Sequence, residues 1–304
     1  MLKHVAIVGV GLIGTSFALA AKRDLTPESA PRIIGVDLDV QYVEQARQRG
    51  AIDAAGTFEQ AASADLVLLA VPVRQMPQVL AALKPHLAEH TVIIDAGSTK
   101  QDVIAAARLR LGDRFRQFVA CHPIAGRERH GPLAADTTLF DGKNVVLCRS
   151  PENSDTTVET ARLAWQAVGA KVIEMTAVTH DAVFAAVSHL PHILAFALVE
   201  ALAARPNAKL LFEHAASGFR DFTRIASSSP EMWRDVALNN REALLTELDA
   251  YLRRVAAVRD MLQASDGDAI YEIMQRAQRA REHWLSGQLD QLDQRNQFNQ
   301  EDGL

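Results

Sequence analysis

His4-Val5-Ala6-Ile7-Val8-Gly9-Val10-Gly11-Leu12-Ile13-Gly14 is a short apolar run that breaks into three spaced glycines and then opens a stretch of helical periodicity. In that strand, turn and helix context a GxGxxG spacing has mechanical meaning. Gly9 permits the tight turn, Gly11 lets the backbone approach a pyrophosphate, and Gly14 lets the helix pack close to the strand, with the amides around Leu12 and Ile13 facing the phosphates. The bland alternative is a structural glycine turn. Against it stands Asp37 at the end of the next apolar run, Arg32 to Val36, where a carboxylate can accept from ribose hydroxyls. A 2′-phosphate about 4 Å from Asp37 would meet roughly 4 kcal/mol of repulsion at an effective dielectric near 20. Leu38 supplies no cation, so NAD is expected rather than NADP. Asp39 reads as the N-cap of the next segment.

Downstream, short apolar runs alternate with amphipathic stretches as far as residue 176, the pattern of parallel strands joined by crossover helices. Strands are expected at His4 to Val8, Arg32 to Val36, Asp65 to Val71, Thr91 to Ile94, Phe118 to Cys121, Asn144 to Leu147 and Lys171 to Glu174. Helices are expected at Leu12 to Lys22, Val40 to Arg49, Met76 to Leu87, Gln101 to Leu111 and Thr157 to Val168. Val71 and Pro72, where the third strand run ends, complete the expected cofactor set with Gly9, Gly11, Leu12, Ile13, Gly14 and Asp37. Beyond Met175 the composition turns to Ala, Leu, Glu and Arg with 3.6-residue periodicity. The expected fold class is therefore an α/β Rossmann-like N-terminal domain with a mainly parallel sheet over residues 1–176, followed by an all-α C-terminal dimerisation domain over 177–287. The polar tail 288–304 is expected to be disordered. The first long helix, Asp181 to Ala204, is apolar nearly all round; it should be buried between others, kink at Pro191, and contribute to a homodimer interface.

The chain has 304 residues, 48% of them hydrophobic and 23% charged, which fits two globular domains with real cores. With a net charge of −5 and scattered Lys and Arg, there is no footprint for a nucleic-acid backbone or an anionic membrane, and a small-molecule partner is expected. Apolar runs such as Leu66 to Val73 fall short of the roughly 20 residues of a membrane span. Two cysteines, Cys121 and Cys148, make no disulfide framework, so the cytoplasm is the expected compartment.

Three polar clusters interrupt the apolar background: Asp95-Ala96-Gly97-Ser98-Thr99-Lys100, Cys121-His122-Pro123-Ile124-Ala125-Gly126-Arg127-Glu128, and Ser188-His189-Leu190-Pro191-His192. The first two follow expected strands, and loops at the carboxyl ends of parallel strands line the ligand crevice. Ser98 and His122 are thus expected beside the nicotinamide, although Ser98 also suits a helix N-cap and His122 also suits a core position. An imidazole titrating near neutrality is suited to take a hydroxyl proton as hydride leaves. His189 and His192 are three apart on one helix, and His192 shares its face with Ser188. No third ligand accompanies them, so no metal site is expected. Further on, Gly218-Phe219-Arg220-Asp221-Phe222-Thr223-Arg224-Ile225 sets Arg224 among apolar residues, with a substrate carboxylate or Asp221 as its partner. Trp233 reads as core or interface.

Together these motifs, with Met232-Trp233-Arg234, resemble the prephenate dehydrogenase family and its arogenate and cyclohexadienyl relatives over about residues 4 to 285. The resemblance implies oxidative decarboxylation of prephenate to 4-hydroxyphenylpyruvate with NAD reduced, a step toward tyrosine, in a dimer formed by the helical domain. It implies that His122 accepts the proton of the ring C4 hydroxyl and that Ser98 links that hydroxyl, His122 and the nicotinamide. It also makes Arg224 the substrate-carboxylate anchor oriented by Asp221, puts His189 and Ser188 in the substrate set, lets His192 contact the pyruvyl side chain, and makes Glu128 a gate. Arg127 and His130 leave the choice between prephenate and its aminated counterpart open. A β-hydroxyacid dehydrogenase would be expected to carry a catalytic lysine in the helical half, where only Lys209 stands. A non-catalytic NAD-binding regulator would have no reason to cluster Ser98, His122 and Arg224.

Overall fold

A computed structural model describes residues 2–126 and 129–287; Glu128 and the tail 288–304 lie outside the described residues. Eight strands are described: β1 (His4–Val8), β2 (Arg32–Val36), β3 (Ala54–Ala55), β4 (Leu66–Leu69), β5 (Val92–Asp95), β6 (Phe118–Pro123), β7 (Asn144–Cys148) and β8 (Lys171–Glu174). They form one sheet in the order β3-β2-β1-β4-β5-β6-β7-β8. The pairings from β3 to β6 are all parallel. This is the doubly wound Rossmann arrangement, with a switch point beside β1. The pairs Val5 and Ile7, Leu66 and Leu68 join one apolar cluster, while Ala6 and Val8, Val67 and Leu69 join the other. Side chains alternate across a strand, so burial on both faces requires the unbroken apolar runs seen in the sequence. On one face Trp165 meets Phe17 and Phe140 edge-on at 5.1 and 5.5 Å.

The edge at β7 departs from the parallel pattern: β7 runs antiparallel to β6 and β8 parallel to β7. The described residues between β6 and β7 hold no crossover helix, only the short 3-10 segment Pro132–Ala134 and turns over 137–142. The chain therefore re-enters the sheet from the end at which it left, which permits only antiparallel pairing. The β3 pair Ala54–Ala55 carries no β-forming side chain and has no sequence signal.

After β8 the chain is helical. Ala177–Phe184, Ala185–His189 and Leu190–Ala203 form one continuous helical run. Its middle segment is a π-type turn in which the Leu190 N–H donates to the carbonyl five residues back, at Ala185. That widened turn stands where a kink was expected from Pro191, whose ring and missing N–H are incompatible with a regular ladder. The run Ala177–Ala203 is long and apolar enough, by length and composition, to cross a membrane, which no uninterrupted apolar stretch of the sequence suggested. His180, Asp181 and His189 on it are nonetheless buried against other protein groups. Contrary to the expectation of a fully buried helix, Val178, Val183, Val187 and Leu198 are exposed in the single chain.

Two compact units divide between Leu245 and Thr246, inside the helix Arg241–Gln263. The first contains the sheet and the helices through Leu245. The second contains the remainder of that helix and Gly267–Ser286, which starts on an Asp266 cap and ends at Gly287 in a left-handed conformation. It exposes Tyr251, Leu252, Tyr271, Met274 and Trp284.

Candidate active site

The carboxyl ends of β1, β2 and β4 build the nucleotide side. Gly9 has φ +95°, and a Cβ there would lie 2.5 Å from the Ala70 carbonyl oxygen. A Cβ on Gly14 would lie 2.1 Å from the Gly9 oxygen, so both positions demand glycine. Gly11 is different: nothing lies within 4 Å of its missing Cβ. It begins the helix Leu12–Lys22, whose first turn has no side-chain cap and no acidic residue, and Leu12 and Ile13 pack partly against the core. Open space over uncapped amides suits a pyrophosphate. The Asp37 carboxylate accepts from the Val10 N–H at 2.8 Å and the Asp39 N–H at 2.9 Å. It is thereby fixed to the glycine turn, and Leu38 beyond it is 88% exposed. Asp39 caps the helix Val40–Gln48 through the Gln41 N–H, as its position suggested. The Val71 side chain borders the Gly9 turn, and Pro72 stands exposed one residue on. These residues fit a dinucleotide.

At the ends of β5 and β6, Lys100 and Asp95 form a fully buried ion pair, Nζ to Oδ2 at 2.5 Å. Lys100 Nζ also donates to the Cys121 carbonyl at 2.7 Å, and Asp95 Oδ1 accepts the Cys121 N–H at 2.8 Å. Both backbone groups of the residue before His122 are thus clamped, which sets the imidazole's starting point. Half-buried His122 places Nδ1 at 2.8 Å from Nε2 of His180, and His180 places Nδ1 at 2.8 Å from Asp181 Oδ1. Asp181 in turn accepts from the Lys100 and Gln101 amides, each at 2.9 Å. The helix Gln101–Leu111 is therefore capped by a residue 80 positions away, and Ser98 is not its cap. Among the described residues no hydrogen bond reaches the Ser98 hydroxyl, which stands half-buried on the turn leading to Lys100.

These bonds decide tautomers. A carboxylate only accepts, so His180 carries its proton on Nδ1 and presents a bare Nε2. His122 must then donate from Nδ1, which leaves its Nε2 as an unprotonated base. Burial, then the neighbouring His180, Lys100 and His189, push the His122 imidazole well below its ordinary pKa. Burial also lowers His180, against the opposing bond to Asp181. Burial pushes the Asp181 carboxyl up, but the bonds from His180 and the two amides outweigh it and hold it below the usual carboxylate value.

The third cluster joins the same network. Asn240 Nδ2 donates to the Asp181 carbonyl at 2.8 Å and lies 3.0 Å from His189 Nδ1. His189 is buried and lowered to about 4. His192 donates from Nδ1 to the Ser188 carbonyl at 2.8 Å and stacks on Trp233 with ring centroids 3.6 Å apart. Trp233 is thus buried, as expected of a core residue, but it is also the platform for His192, and its indole nitrogen has no partner among the described residues. Burial lowers His192 too, against its backbone bond.

The structure therefore brings His122, His189 and His192 into one chain of contacts with His180, Asp181, Asn240 and Trp233. His180, Asp181 and Asn240 were not expected from the sequence. The signal for the first two is a charged pair inside the apolar run Ala177 to Leu190. Arg224 is not enclosed by apolar residues as expected: it is exposed, at the start of the turn Arg224–Ser227, which packs on Leu190–Ala203. Asp221 is exposed on the preceding helix, Ser217–Thr223.

The fold and this site define a dinucleotide-binding α/β protein with a histidine-centred polar cluster. Residues 17–174 match the prephenate dehydrogenase nucleotide-binding domain and residues 176–276 the prephenate dehydrogenase dimerization domain. The chain belongs to the prephenate dehydrogenase family, a family of NAD-dependent oxidoreductases. It is 35% identical to the prephenate dehydrogenase of Bacillus subtilis over 90% of this chain and 74% of that protein. It is 34% identical to the cyclohexadienyl dehydrogenase of Zymomonas mobilis over 92% of this chain and 95% of that one. The solved prephenate dehydrogenase of A. aeolicus, in complex with hydroxyphenyl propionate and NAD+, matches with a TM-score of 0.86 and 32% identity, covering 93% of this chain and 98% of that chain.

Proposed function

We propose that this chain oxidises and decarboxylates prephenate to 4-hydroxyphenylpyruvate, with the Nε2 of His122 accepting the proton of the C4 hydroxyl. The observation behind this reading is the hydrogen bond from His122 Nδ1 to His180, which leaves Nε2 as the basic nitrogen at the carboxyl end of β6. NAD, held along Gly9, Gly11, Leu12, Ile13, Gly14, Asp37, Val71 and Pro72, supplies the hydride acceptor. The low affinity of His122 for protons keeps it unprotonated at neutral pH and ready to act as a base. Ser98, on the adjoining strand-end turn, orients the same hydroxyl. Arg224, exposed beside the helical half, anchors a substrate carboxylate with its planar fork. Asp221, on the preceding helix, orients that anchor and Glu128 keeps the gate role that the resemblance implies, while His192, on the Trp233 platform, meets the side chain with Ser188 and His189 behind it. Loss of carbon dioxide makes the ring aromatic and needs alignment more than further groups.

Two buried free cysteines, Cys121 and Cys148, support a reducing compartment such as the cytoplasm. The exposed apolar face of Ala177–Ala203 supports a homodimer. Initial rates on prephenate and on arogenate, each with NAD and NADP, test the reading. Prephenate with NAD should give the highest kcat/KM, and no turnover of either substrate would overturn it. A higher kcat/KM on arogenate would reassign the substrate within the family. His122→Asn should lower kcat by about 10² to 10⁴ with little change in KM, and Arg224→Ala should chiefly raise KM.

A further inference from the structure

The proposed reaction leaves the pair His180 and Asp181 without a part, yet both are buried, with His180 bonded to His122 and Asp181 bonded to His180, each at 2.8 Å. Building on the reading of His122 as base, we propose that they are positioning residues with a second duty: they fix the His122 tautomer and then take over the charge of the proton that it receives.

In this step the substrate O–H bond breaks and an N–H bond forms at His122 Nε2. The His122 Nδ1–H bond breaks and an N–H bond forms at His180 Nε2, 2.8 Å away. His122 is then neutral, and the positive charge rests on His180 beside the Asp181 carboxylate. Once product has left, the proton on His180 returns to His122 Nδ1 and the one on His122 Nε2 passes to water.

Surroundings give the transfer its direction. His122 shares its environment with the Lys100 ammonium, whose field opposes a second positive charge there, with Asp95 pairing that ammonium. The Phe184 ring packs edge-on against His122 with centroids 5.0 Å apart, and His189 also opposes a positive charge there. His180 instead faces an anion at 2.8 Å. Asp181 does not itself take the proton, because the Lys100 and Gln101 amides at a helix N-terminus and the Gln101 side chain all donate to it and hold it as a carboxylate. The charge therefore stops at His180, an ion pair away from the reacting centre.

His180→Gln tests this in the full-length enzyme. Glutamine can accept from His122 Nδ1–H and donate to Asp181, so it preserves position but carries no proton. The expected result is a KM within about twofold of wild type, a kcat at least about tenfold lower, and an acid limb of the kcat–pH profile moved to lower pH, because His122 alone is the weaker base. Asp181→Asn, which removes the anion, should shift the limb in the same direction and serves if His180→Gln does not fold. Wild-type kcat with an unmoved limb, or a loss confined to KM, would overturn the proposal. His122→Asn runs alongside: if it abolishes turnover while His180→Gln behaves as wild type, only the charge transfer fails, and if it retains turnover, the base assignment itself falls.

Discussion

Replacing Gly11 by alanine isolates the one fingerprint glycine whose side-chain position is open. Its φ of −72° is ordinary for an L-residue, and an added Cβ meets nothing within 4 Å. Folding stability should therefore change by less than about 0.5 kcal/mol. The same methyl occupies the approach to the first amides of Leu12–Lys22. Displacing a pyrophosphate there weakens charge-assisted hydrogen bonds of about 1.5–3 kcal/mol each. At about 1.4 kcal/mol per tenfold, the Kd for NAD should rise roughly 10- to 150-fold. Gly14→Ala is the contrast, since its Cβ would lie 2.1 Å from the Gly9 oxygen and 2.6 Å from Ile7 Cγ2. That overpacking should cost about 1–3 kcal/mol of stability or more. Calorimetric titration with NAD, run beside urea unfolding, separates the two effects. A Gly11→Ala protein that binds NAD like wild type would show that the phosphates do not pass over Gly11.

His189 makes stability depend on pH. Its folded-state pKa of about 4 lies below the value near 6.5 of an unfolded chain, so the unfolded state takes up the proton first. The stabilisation is complete above about pH 6.5 and is lost as pH falls toward 4; at about 1.36 kcal/mol per pH unit, roughly 2 kcal/mol should go between pH 6.5 and 5. Urea midpoints for His189→Gln should be flatter across that interval by this amount, and an unchanged slope would count against the burial argument. Leu198→Glu sets a charge on the exposed apolar face of Ala177–Ala203. Sedimentation should show monomers at micromolar concentration, whereas persistent dimers would move the interface elsewhere.

Much of the fold was legible because it is written in local period. β1, β2 and β8 fall where the apolar runs place them, and the glycine spacing and the Asp39 cap are short-range devices that declare themselves. What stayed hidden depends on partners far along the chain. Ser98 looked like a helix cap because the actual cap, Asp181, has no sequence relation to Lys100 and Gln101. His180 lies 58 residues from His122, so no spacing rule links them. Arg224 looked enclosed because its neighbours are apolar in sequence, but the turn it begins points it outward.

The widened turn at Ala185–His189 also fixes the bearing of the helix beyond it. Each helical residue advances about 100° around the axis, so one surplus residue there rotates the whole stretch from Leu190 onward by that angle. Trimming a single residue from the segment would swing His192 away from the Trp233 ring and press the Pro191 ring against a carbonyl of the preceding turn. The chain can thus tolerate swaps of side chain along this run far better than any change in its length, because a deletion here would undo the stacking of His192 on Trp233.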